Sequence, residues 1–157
     1  MDARFAALVD NMHVSVERLL AVKPVTMAQF PKEVPERGIY LFTEPGTGHL
    51  YVGRSNRIRK RYDRHCRPSS TIRMAAFAFR LAREATGYLK PSYKPGTESR
   101  KGLIAKPDFH AAFTAAKARI RQMEFRYVEE TDPVRQCLLE VYAAVALQTP
   151  YNDFDTH

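Results

Sequence analysis

The chain has 157 residues, with 25 Lys and Arg against 17 Asp and Glu, a net charge of +8 and a pI near 9.7. That length suits one domain able to bury roughly two-thirds of its unfolded surface without disulfides or a structural metal, and the charge favours a polyanionic partner without fixing a fold. Cys66 and Cys137 have no further Cys or His at zinc-ligand spacing, and neither a secretory leader nor an apolar run of membrane-spanning length is present. These features indicate no zinc site and predict a soluble, cytoplasmic protein with reduced thiols and no membrane partner.

From the N-terminus, Phe5, Leu8, Met12, Val16, Leu19 and Leu20 recur at helical spacing through residues 2–22, with a break near Asn11 after which Ser15 and Glu17 can start a second helix. The prolines between Pro24 and Pro35 predict a short helical turn and a loop. Gly38 to Thr43 and His49 to Gly53 read as two strands, joined by the glycine-rich turn Glu44-Pro45-Gly46-Thr47-Gly48. Ser55 or Asn56 can cap a helix that runs through Arg64 and is stopped by Pro68. Thr71 to Ala85 carries Ile72, Met74, Ala75, Phe77, Ala78 and Leu81 in a helical pattern, with Gly87 as its C-terminal cap.

From Lys90 to Pro107 the composition is rich in Pro, Gly and Ser without periodicity, which predicts a basic surface loop. Asp108 is expected to cap a helix to about Arg121, and the alternation from Met123 to Glu129 predicts a third strand. Asp132-Pro133 opens a final helix whose apolar body extends to Leu147 and which Pro150 is expected to end. The expected fold is α/β of the α+β kind: a small three-stranded, mainly antiparallel sheet flanked by helices. It forms a single domain over residues 1–157, with an N-terminal helical extension (1–30) and a basic helical and loop insert (68–107).

Two features carry chemistry. Eight basic residues and one acid, Asp63, lie between Arg54 and Arg73, whereas Glu124 to Asp132 holds four acids and one arginine. A localised basic stripe is the footprint of phosphate binding, which makes Arg54, Arg57, Arg59, Lys60 and Arg64 candidate nucleic-acid contacts; a solvated helix face is the plain alternative. The second feature is Glu140, the only charge between Arg135 and Asp153, set in the apolar run Cys-Leu-Leu-Glu-Val-Tyr-Ala-Ala-Val. A carboxylate in such surroundings needs a partner. Gln136, Ala143 and Ala144 leave room for a hard divalent cation with several waters.

Gly38-Ile39-Tyr40 and Tyr51-Val52-Gly53, separated by ten residues and followed by the arginine-rich run 54–61, resemble the paired motifs of the GIY-YIG nuclease superfamily. Four further positions fit its pattern: Arg61 eight residues after Gly53, His65 one helical turn later, Glu140, and Asn152 twelve residues beyond it. The resemblance covers roughly residues 26–65 and 122–154. Val52 stands where the family has isoleucine, which keeps a β-branched residue, and the segment from about Pro68 to Pro107 is longer than a compact version of the fold requires.

The resemblance implies a metal-dependent endonuclease that hydrolyses DNA phosphodiester bonds with one Mg²⁺ or Mn²⁺ ion. Its implied catalytic residues are Tyr40, Tyr51, Arg61, His65, Glu140 and Asn152. Tyr40 would activate water with support from Tyr51 and His65, Arg61 would stabilise the pentacovalent charge, Glu140 would hold the metal, and Asn152 would stabilise the site. A phenol with a pKa near 10 is only about one part in a thousand ionised at pH 7, so Arg54 and Arg61 are expected to ease its ionisation. Double-stranded DNA is the implied partner, and cutting both strands with one metal site takes a homodimer or two sequential nicks. A non-catalytic nucleic-acid-binding module with the same fold is the alternative; a basic interaction protein accounts for the charge but not for the spacing.

Overall fold

The chain enters its first helix at Asp2, whose carboxylate accepts hydrogen bonds from the amides of Arg4 (3.0 Å) and Phe5 (3.1 Å) and so satisfies two donors with no partner inside the helix. This helix, α1 (Ala3–Val9), buries none of its side chains. Asn11 then adopts a left-handed conformation (φ 58°) and turns the chain into α2 (Met12–Ala21). The break falls where the sequence places it, but the second helix starts at Met12 rather than at Ser15. A 3₁₀ turn follows at Met27–Gln29. The computed structural model describes residues 1–88 and 96–154, and the chain divides into two compact units, Met1–Arg61 with Met123–His157, and Tyr62–Gln122.

The first unit holds an antiparallel three-stranded sheet of the expected kind. β1 (Gly38–Glu44) is the central strand, with β2 (Gly48–Ser55) on one side and β3 (Glu124–Glu129) on the other. On one face Ile39, Leu41 and Val52 pack on Met12, Val16 and Leu19 of α2 and on Leu139, Ala143 and Ala144 of α7 (Pro133–Ala146). Each large apolar side chain buried there contributes about 1.5–3 kcal/mol. The other face is aromatic: Tyr40 stacks on Phe125 at 5.4 Å and meets Phe42 edge-on at 5.9 Å, while Phe42 and Phe125 lie 5.0 Å apart. Val25 forms a two-hydrogen-bond bridge with Phe125 and covers part of the outer edge of β3.

α7 begins where Asp132-Pro133 predicts, with the Asp132 carboxylate accepting from the amides of Val134 (2.9 Å) and Arg135 (2.7 Å). The Arg135 guanidinium then donates to the carbonyls of Leu8 (2.7 Å) and Asp10 (3.3 Å) and to Glu130 (3.0 Å), tying the end of α1 to the start of α7. The helix does not run on to Pro150. It ends at Ala146, and Gln148, at φ 50°, turns the chain before the proline is reached.

α3 (Ile58–Cys66) begins in the first unit and ends in the second, which also contains α4 (Ala76–Thr86), α5 (Arg100–Ala105) and α6 (Pro107–Gln122). Phe77, Phe79, Leu81, Leu103, Phe109, Phe113 and Ile120 are among its buried side chains. Lys117 is drawn inward and donates to the carbonyls of Pro68 and Ser70, fixing the turn that leads to α4. The helix expected from Thr71 starts only at Ala76, because Met74 and Ala75 close a turn onto the Thr71 carbonyl and Ala75 is not helical. Part of the stretch expected to be a loop is instead α5, capped by the Ser99 hydroxyl on the Gly102 amide (3.0 Å); residues 89–95 of that stretch lie outside the described residues. Asp108 sits in the first turn of α6 rather than at its cap, where its charge still suits the helix dipole. Among the described residues no helix is long and apolar enough to cross a membrane.

The two thiols differ in setting. Cys66 is buried and donates to the Tyr62 carbonyl (3.2 Å), and burial pushes its pKa up to about 11, whereas Cys137 is exposed. A thiol reagent near neutral pH is therefore expected to modify Cys137 alone in the native protein and Cys66 only after denaturation; native labelling that survives Cys137→Ser would contradict this placement.

Candidate active site

The hairpin register sets Tyr40 opposite Gly53 and Phe42 opposite Tyr51, so both tyrosines project from the aromatic face. A Cβ on Gly53 would overlap the Tyr40 hydroxyl and Cζ, which is why the ring can lie across the edge strand only over a glycine. Gly38 has a similar reason, since a Cβ there would run into the Val128 carbonyl of β3. The outer glycines of the two tripeptides are thus both required by close approach.

Tyr40 is 1 % exposed, and its hydroxyl accepts a hydrogen bond from Arg61 Nε (3.1 Å) in the first turn of α3. Burial drives the phenol well above the ordinary tyrosine pKa, Tyr51 adds in the same direction, and Arg61 opposes both without overcoming them. The expectation that arginines ease this ionisation is not met, because desolvation outweighs one guanidinium. Arg61 is itself partly buried; burial works against its charge, but Tyr40 and Tyr51 stabilise it and its pKa is raised overall. It is a fixed cation serving two phenols. The Tyr51 ring lies 6.4 Å from that of Tyr40 and is only partly buried.

Arg54 follows Val52 by two residues and therefore shares the sheet face that α7 covers. Its Nε donates to Glu140 Oε2 at 2.9 Å, with side chains 47 % and 21 % exposed. Burial raises the Glu140 pKa, while Arg54 and then Arg61 pull it down without fully offsetting that cost. Glu140 is the smallest of the influences on Tyr40 and adds to the rise of its pKa. The partner this carboxylate requires is thus a guanidinium within the chain. Gln136 turns its amide to the Glu130 carbonyl (2.7 Å) and to Asn56 (3.3 Å).

Among the described residues no three His, Cys, Asp or Glu side chains gather as a metal cage. Glu140 offers one carboxylate, with Oε2 taken by Arg54, so an ion such as Mg²⁺ or Mn²⁺ held there would draw the rest of its shell from elsewhere.

Asn152 acts on the backbone. Its Oδ1 accepts from the Val52 amide and its Nδ2 donates to the Val52 carbonyl, both at 2.8 Å, so its amide pairs with the free edge of β2 as another strand would. Thr149 donates to Asn152 Oδ1 (2.8 Å), and the Tyr151 amide donates to the Leu50 carbonyl (3.2 Å). This latch clamps the residue between Tyr51 and Gly53, which makes Asn152 a positioning residue.

Arg54, Arg57, Arg59 and Lys60 are exposed. Arg59 is engaged by the chain itself, lying 4.9 Å over the Phe30 ring and donating to the Pro31 carbonyl. Arg64 and His65 lie in the second unit, where His65 is fully buried with its ring edge-on to Phe77 at 6.5 Å. The first unit brings together Tyr40, Tyr51, Arg54, Arg61 and Glu140. The Arg54–Glu140 pair is absent from the sequence-based expectations, although the two-residue period from Val52 places Arg54 on the covered face.

No protein-family model, curated protein or solved structure matches the chain.

Because folding raises the Tyr40 pKa, the stability it contributes is fully present below the unfolded value near 10 and is lost as pH rises above it. Tyr62, also raised by burial, acts in the same sense. Urea unfolding is expected to show stability falling above about pH 10, with a shallower fall in Tyr40→Phe; an unchanged fall would contradict the assignment.

Proposed function

We propose that the first unit is the catalytic body of a metal-dependent endonuclease that hydrolyses DNA phosphodiester bonds, with double-stranded DNA as substrate. One observation carries this reading: Arg61 is hydrogen-bonded to Tyr40, whose ring lies 6.4 Å from that of Tyr51, and Glu140 is paired with Arg54, all in one unit beside exposed basic side chains. The GIY-YIG resemblance selects Tyr40, Tyr51, Arg61 and Glu140 together with Asn152 and with His65, which lies in the second unit.

Arg57 and Lys60, exposed on the same basic stretch, suit the flanking phosphates, and Arg61 meets the scissile one with its fork of donors. Tyr40 keeps its proton, and the hydrogen bond its oxygen accepts from Arg61 holds that guanidinium in place for the phosphate. Tyr51, partly exposed, is the phenol that a water approaching in line can meet. A divalent ion held by Glu140 would supply charge neutralisation at the phosphate and the leaving oxygen. Asn152 keeps Tyr51 and Gly53 in register through its hold on Val52.

The alternative, a binding module without cleavage, is favoured by the Arg54 guanidinium on Glu140 and by the protonated state of Tyr40. Nicking of supercoiled plasmid separates the two. Cleavage is expected with Mg²⁺ or Mn²⁺ and is expected to disappear with a chelator or with Glu140→Ala. Arg61→Gln should slow it by about a hundredfold or more. Tight DNA binding with no cleavage in any divalent ion would replace the enzyme by the binding module.

A further inference from the structure

The two arginines of the cluster are held differently. Arg61 is partly buried and hydrogen-bonded to Tyr40, so its place is fixed by the packing of the aromatic face. Arg54 stands at the rim, nearly half exposed, and its described side-chain partner is Glu140, itself 21 % exposed. A guanidinium in that position can leave the carboxylate for solvent, or for another anion, without opening the core. We infer that Arg54 is a resident counter-ion for Glu140, exchanged when a phosphodiester binds: the guanidinium passes to the phosphate and a divalent cation takes its place on the carboxylate.

The charge balance supplies the physical reason. With Arg54 bonded to Glu140 Oε2, a divalent cation arriving alone must displace a guanidinium from the oxygen it needs. A phosphate brings negative charge and bidentate acceptor oxygens that suit Arg54 at least as well as the carboxylate does. Cation and phosphate therefore favour each other's binding, and the coupling is reciprocal. The exchange rests on the reading of Glu140 as the metal-holding residue. It adds that Arg54 withholds the ion from the free protein and so links metal loading to the presence of substrate.

Mn²⁺ binding, followed by the room-temperature electron paramagnetic resonance signal of the free ion, tests this without relying on cleavage. The proteins compared are the wild type, Arg54→Gln, Arg37→Gln and Glu140→Gln, each with and without a short phosphorothioate duplex. Arg37→Gln controls for loss of one exposed positive charge of the same unit, because the Arg37 side chain is exposed and the described bond of that residue is from the Glu130 amide to its backbone carbonyl.

Without duplex, Arg54→Gln is expected to bind Mn²⁺ about fivefold tighter than wild type or better, and Arg37→Gln to change it little. Duplex should tighten the wild type by a comparable factor and Arg54→Gln by much less. Equal affinities for wild type and Arg54→Gln, or equal tightening by Arg37→Gln, overturn the exchange while leaving Glu140 as the metal residue. Wild-type Mn²⁺ binding by Glu140→Gln overturns the metal reading and the exchange with it.

Discussion

The hydrogen bond from Arg61 Nε to the Tyr40 hydroxyl joins the middle of the sheet to the first turn of α3, and much of the first unit follows from accommodating it. A phenol on the central strand is buried by its neighbours, here Phe42 and Phe125, and a buried hydroxyl left without a partner would cost about 1–3 kcal/mol. The ring needs a residue without a side chain across the strand, which Gly53 supplies. The guanidinium needs oxygen acceptors in a partly desolvated place, and the two tyrosines supply them. Each requirement fixes a neighbour, so the motif is a packing solution as much as a chemical one.

A second constraint concerns the edge. β2 carries Tyr51, Gly53 and Arg54 and has β1 on one side only, so its outer backbone groups need a partner. The side-chain amide of Asn152 pairs with both polar groups of Val52, which holds the strand between Tyr51 and Gly53. The cations then divide their labour. Arg61, locked by packing, sets the field around the phenols, and Arg54, at the rim, answers the one carboxylate.

The hairpin, its glycines and the start of α7 are legible in the sequence because each is local: a two-residue period, a glycine-rich turn, an Asp-Pro cap. α5 is not, because six residues give too short a period to stand out against Pro- and Gly-rich surroundings, and only the Ser99 cap marks it. The protonation of Tyr40 is also hidden. Nearby arginines are visible in the sequence, whereas burial depends on β3, far along the chain, making β1 the central strand. Asn152 is legible as a candidate but not in its manner of acting, since Val52 lies 100 residues away. Arg54 falls between these cases: its sheet face can be counted from Val52, but the helix that covers that face cannot.

The most direct test of the account is anomalous diffraction from crystals grown with Mn²⁺ and a phosphorothioate duplex. The account predicts a manganese peak at the Glu140 carboxylate, with a backbone phosphate on Arg61 and Arg54 turned from the carboxylate to that phosphate. A duplex bound elsewhere, with Arg54 still on Glu140 and no metal beside it, would contradict the account.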